Sequence, residues 1–147
     1  MDNFTIEGHG NFVRIRFKRI FGFPDETCHW GGYDTESEIE IKVEDFNVNS
    51  TLYLTTGEVF EFYKNLAICN ERLKGDVALE NYEGDLDLKL RYDITGEVDI
   101  TGSFSQNHGL IRLEFEFKTD QSYIQSTLSQ LKAIVLKYGD SKGVKKK

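Results

Sequence analysis

Glu83-Gly84-Asp85-Leu86-Asp87-Leu88-Lys89-Leu90, Gly96-Glu97-Val98-Asp99-Ile100-Thr101-Gly102-Ser103-Phe104 and Leu113-Glu114-Phe115-Glu116-Phe117-Lys118 decide the fold. Each run alternates a charged or small polar residue with a large apolar one. Alternation of period two marks a strand with one face buried and the other wet. Thr119-Asp120-Gln121-Ser122-Tyr123-Ile124 then changes the period and opens a helix. Asp120 is placed to accept hydrogen bonds from the free N–H groups of the first turn. Ile124, Leu128, Leu131, Val135 and Tyr138 form the expected apolar stripe, and Gly139 ends it.

The first half follows the same plan. Strands are expected at Phe4–Glu7, Phe12–Ile20 and around Ile39, Ile41 and Val43. A turn near Asn47–Ser50 leads into Thr51–Leu54. Thr56 is the expected cap of a helix carrying Val59, Phe62, Tyr63, Leu66, Cys69 and Leu73, with Gly75 as its left-handed C-terminal residue. Further strands are expected at Val77–Tyr82, Asp85–Tyr92, Glu97–Phe104 and Leu110–Lys118. The expectation is a single α+β domain over residues 1–139. It is a curved antiparallel β-sheet with two helices packed on one face, built from two similar strand-and-helix halves. Residues 140–147 read as a disordered Lys-rich tail.

Charge narrows the function. The chain of 147 residues carries −7. The last eight residues contribute +3, which leaves −10 on residues 1–139. Such a body repels phosphates and attracts cationic partners. Lys and Arg alternate with carboxylates on the same strands, so no basic groove for nucleic acid is visible. The N-terminus lacks the basic and apolar regions of a signal peptide, and no apolar run approaches the ~20 residues of a membrane-spanning helix. The expected setting is the cytoplasm, with no membrane partner. Cys28 and Cys69 are then free thiols. The sequons Asn3-Phe4-Thr5 and Asn49-Ser50-Thr51 would go unmodified there.

Catalytic chemistry finds little support. His9, His29 and His108 each sit beside glycine or another turn residue, and no two share a metal-ligand spacing. No metal, cofactor or catalytic residue is assigned. Asp85 and Asp87, Glu97 and Asp99, Glu114 and Glu116, and Glu38 and Glu40 each place two carboxylates on one sheet face. That face is expected to be wet and interleaved with Lys and Arg, which suits electrostatic docking better than acid–base catalysis. The loop from Phe21 to Asp34 holds the chain's only Trp and only Pro. Phe23, Asp25, Glu26, Trp30, Tyr33 and Asp34 make it the candidate anchor of an interface. A small-ligand pocket between sheet and helices, lined by Phe and Tyr, is the alternative.

Several of these pieces, in one order, resemble the WapI-type immunity protein family of bacteria. They are Phe23-Pro24-Asp25 with Trp30-Gly31-Gly32, Glu38-Ile39-Glu40-Ile41, Leu73-Lys74-Gly75, the alternating segments Glu83–Leu88, Gly96–Gly102 and Leu113–Phe117, and Asp120-Gln121-Ser122-Tyr123. The resemblance spans about residues 12–138, and the Lys-rich tail lies outside it. It implies a non-enzymatic protein that neutralises the toxic C-terminal domain of a secreted polymorphic, contact-dependent toxin, often an RNase. The implied partner is a cognate toxin domain, expected to be basic. Neither the toxin's identity nor the oligomeric state is readable from the residues.

Overall fold

The computed structural model describes residues 2–144. Ten elements run in the order β1 (Asn3–Gly8), β2 (Asn11–Ile20), β3 (Asp34–Val43), β4 (Phe46–Thr55), α1 (Thr56–Arg72), β5 (Gly75–Glu80), β6 (Leu86–Tyr92), β7 (Glu97–Gln106), β8 (Ile111–Asp120) and α2 (Gln121–Tyr138). The fold is α+β and antiparallel, with four strands and a helix occurring twice. The strands divide into two four-stranded sheets, β1-β2-β3-β4 and β5-β6-β7-β8, rather than joining in one.

Alternation sets which face is buried. In β6, Leu86, Leu88, Leu90 and Tyr92 are buried, while Asp87, Lys89 and Arg91 are exposed. In β2 and β3, Val13, Ile15 and Phe17 lie beside Ile41, Ile39 and Ser37 in the ladder. The buried faces of both sheets and both helices contribute to one hydrophobic cluster. The helix α1 packs on α2 and on β5, and α2 packs on α1 and on β1. Each helix thus lies along a strand at the rim of its neighbouring sheet.

That placement closes an edge. The Thr5 N–H of the rim strand β1 donates to Gln130 Oε1 at 2.8 Å, and its carbonyl accepts from the Thr127 hydroxyl at 2.6 Å. Thr119 on β8 donates to the Glu7 carbonyl at 2.5 Å. Backbone groups of an edge strand that would otherwise face a second chain are met by side chains. Thr127 and Ile134 are buried in α2, whereas Leu128 and Val135, expected on the stripe, are only half-buried.

Several boundaries differ from the expected ones, most plainly at a turn and at the two ends of α1. The turn between β3 and β4 falls at Glu44-Asp45, so Asn47–Ser50 are strand. Glu44 takes a left-handed conformation (φ 54°), held by its N–H donating to Asn11 Oδ1. Thr55, not Thr56, caps α1. Its hydroxyl accepts from the Glu58 N–H, and the Glu58 carboxylate accepts from the Thr55 N–H, which makes a capping box. Thr56 Oγ1 instead accepts from the Tyr33 N–H. At the far end Leu73 is the left-handed cap residue (φ 54°), and Gly75 already begins β5. Asp120 caps α2 as expected, accepting from the Ser122 and Tyr123 N–H groups, and Gly139 closes it.

The expected tail begins with defined contacts. Asp140 and Gly143 form a bridge, the Gly32 N–H donates to the Ser141 carbonyl, and the Val144 N–H donates to Tyr33 Oη. Lys145–Lys147 lie outside the described residues.

Candidate functional site

The segment between β2 and β3 is irregular because its residues cannot form a ladder, yet its backbone is tied down. The Glu26 N–H donates to Gly22 O, Cys28 N–H to Gly32 O, and Gly31 N–H to Cys28 O. Tyr33 is fully buried. Its hydroxyl donates to the Pro24 carbonyl at 2.9 Å and accepts from Val144 at 3.0 Å. Tyr33 is therefore buried as the post beneath the loop. Phe23 meets Tyr33 and Tyr138 edge-on, with centroids 5.2 and 5.0 Å away. Gly32 and Gly57 let the loop approach the start of α1. A Cβ on Gly32 would overlap the Gly57 nitrogen, and one on Gly57 would lie 2.5 Å from the Gly31 carbonyl oxygen.

Trp30 is held out on this support. It is 59% exposed and stacks on Tyr82 at 5.5 Å with planes 10° apart. Tyr82 lies in the turn between β5 and β6, far away in sequence. Its hydroxyl donates to the Asp34 carboxylate at 3.0 Å. Burial pushes the Tyr82 phenol up, and Asp34 adds to the shift. Glu83 is also raised, first by burial and then by Asp85 and Asp34. Glu58 is raised to about 7, chiefly by burial, with the charge of Asp34 contributing. Asp85 accepts from the Asn81 side chain, which also donates to the Tyr53 carbonyl. The charge of Asp34 thus acts on both Glu58 and Glu83, and that of Asp85 on Glu83, so these four carboxyl groups share one region.

Below Trp30 a groove of about 230 Å³ opens between the first turns of α1 and β5. Phe62 and Leu79 form an apolar floor, and Glu58, Glu61 and Glu80 are its titratable walls. Glu61 pairs with Lys64 at 3.0 Å, one turn along the same exposed helix face. Glu80 lies directly opposite Asp87 across the β5–β6 ladder. Like charges in that position repel, and no ion pair is found for either among the described residues.

The sheet faces differ. Arg14 pairs with Glu40 at 2.9 Å, Arg16 and Lys18 with Glu38, and Arg19 with Glu36 at 3.0 Å. Lys118 pairs with Asp99 at 2.9 Å and approaches Glu97 at 3.9 Å, and Arg112 pairs with Glu114 at 3.0 Å. The hydrogen bond from Arg16 holds the Glu38 carboxyl below its ordinary range. The register places Arg14 opposite Glu40, Arg16 opposite Glu38 and Lys118 opposite Asp99, so the charges cancel across strands. Among the expected docking carboxylates, Glu38, Glu40, Asp99 and Glu114 each have a cation in ion-pair reach, and Glu97 shares Lys118 with Asp99. Glu116 and Asp87 stay exposed on the same outer face, within a shallow depression that also holds Lys89 and Arg112. Asp25 and Glu26 are exposed on the loop.

The structure therefore gathers Trp30 and Asp34, with Asp85 nearby, and scatters the rest. It adds Glu58, Glu61, Glu80, Tyr82 and Glu83, which the alternating pattern did not single out. Among the described residues no group of three His, Cys, Asp or Glu could hold a metal ion. Cys28 and Cys69 are unpaired. The described cavities open among charged and polar residues, and none is lined mainly by Phe and Tyr. Among the described residues no helix is long and apolar enough to cross a membrane.

Comparison with known proteins gives two matches. The model of the immunity protein WapI-like family matches residues 4–139. A chain of the solved CdiA-CT/CdiI toxin and immunity complex from Enterobacter cloacae is similar in structure, with a TM-score of 0.47 and 12% identity, over 81% of this chain and 97% of that one. No curated protein matches the sequence.

Proposed function

We propose that this chain, which belongs to the immunity protein WapI-like family, protects a bacterial cell by binding a cognate toxin domain and holding it inactive. The single observation that carries this reading is the family match over residues 4–139, nearly the whole chain. The action is stoichiometric and not catalytic. It relies on a rigid surface, and the residues described above meet no nucleophile–base or paired-acid geometry suited to turnover. The site of action is the cytoplasm of the cell that makes the toxin or of a sister cell.

The toxin domain is basic, with nuclease the leading class. A nuclease carries a positive cleft for phosphates, and a body of −10 over residues 1–139 complements it. Covering such a cleft excludes substrate without any chemistry by the inhibitor.

Co-expression tests the proposal. The toxin domain encoded beside this gene should arrest growth when produced alone. Co-production of this chain should restore growth, and the two proteins should purify together in equal amounts. Growth arrest unchanged by this chain, with no complex on purification, would refute the reading.

A further inference from the structure

Resting on the toxin-binding reading, we propose that the groove below Trp30 receives an arginine or lysine side chain of the toxin domain, seated against the indole and between Glu61 and Glu80.

Four features of the groove converge on a cationic side chain. The indole is the chain's only Trp and is 59% exposed, although a large aromatic surface is costly to leave in water. Tyr82 covers one of its faces by stacking and His29 meets the ring edge-on at 5.1 Å, which together fix the indole beside the groove while it stays largely exposed. A cation over a Trp face is attracted by the ring quadrupole, and a guanidinium can also stack on it.

The walls supply the opposite charge. Every titratable residue lining the groove is acidic. Glu80 faces Asp87 across the ladder, with no cation paired to it among the described residues. Lys64 holds Glu61 only through an exposed pair, which is worth little and is readily exchanged. The sheet faces, by contrast, already carry their own arginines and lysines, so an incoming cation gains less there.

The floor and the support complete the fit. Phe62 and Leu79 offer apolar contact to the methylenes of a long basic side chain. The groove volume of about 230 Å³ suits one side chain, not a folded segment. The loop that carries Trp30 is fastened to Ser141, Tyr33 and Gly57, so little ordering is needed when the partner arrives.

The test uses the toxin domain encoded beside this gene and the full-length chain. Trp30 is the sole Trp, so a fluorotryptophan label gives one fluorine resonance that reports on the groove. Adding the toxin domain should shift that resonance. Trp30→Ala should weaken the complex roughly thirtyfold or more, the scale of an interface hot spot. The double variant Glu61→Gln with Glu80→Gln should weaken it roughly tenfold and flatten its salt dependence. All these side chains are exposed, so thermal unfolding should show the variants folded. If the wild type binds while both variants bind equally well and the resonance stays put, the groove is overturned and the immunity reading stands. If the wild type forms no complex, the immunity reading fails, and the groove assignment fails with it.

Discussion

Single residues decide how the loop carrying Trp30 meets the start of α1. Gly57 has no room for a side chain, because a Cβ there would lie 2.5 Å from the Gly31 carbonyl oxygen. Gly57→Ala must push two backbone segments apart, and the expected loss is about 1–3 kcal/mol in chemical denaturation. An unchanged midpoint would mean that the two segments do not touch. Glu58 gives a second residue-scale prediction. Its folded pKa of about 7 lies above the ordinary 4.5, so the folded state holds its proton more tightly than the unfolded chain does. Its contribution to stability is therefore full below pH 4.5 and is lost as pH rises to about 7, after which it is flat. Glu58→Gln keeps a capping-box side chain at this position without a titrating group. The stability of the wild type relative to that variant should fall across the same window, and a difference that is constant with pH would contradict the burial of Glu58.

At the scale of elements, capping and edge closure can be tested separately. Thr55→Ala removes the acceptor for the Glu58 N–H and should cost about 0.5–2 kcal/mol. Thr127→Val keeps the shape of the side chain but leaves the Thr5 carbonyl without its partner. The expected cost is about 1–3 kcal/mol in urea denaturation, together with faster amide exchange along β1. Equal stability would mean that water replaces the Thr127 hydroxyl there. These elements also show how much of the fold the residues announce. The β6, β7 and β8 strands are legible because Leu, Ile and Phe alternate with charges, and the α2 start is legible because Asp120 precedes the change of period. The turn at Glu44-Asp45 is not, because it contains no glycine and depends on Asn11 from the neighbouring hairpin. The burial of Thr127 is hidden for a similar reason, since a threonine looks polar until the strand edge that it closes is in place.

The whole molecule determines where charge is left unbalanced. Sequence alone places Glu38, Glu40, Glu97, Asp99 and Glu114 on wet faces, and they are there. It does not show that Arg14, Arg16 and Lys118 lie within ion-pair reach of them, because that depends on strand register. Nor does it show that Trp30 and Tyr82, from opposite halves of the chain, stack above Glu58, Glu61 and Glu80. Glu58, Glu61 and Glu80 are thereby left together where the two halves meet, and that is the surface proposed for a basic partner. The most direct measurement of the central claim is a calorimetric titration of the purified chain with the toxin domain encoded beside it, at low and at physiological salt. The predicted result is a tight equimolar complex whose affinity falls as salt rises, because screening weakens attraction between exposed charges. The absence of any complex at low salt, where that attraction is strongest, would contradict it.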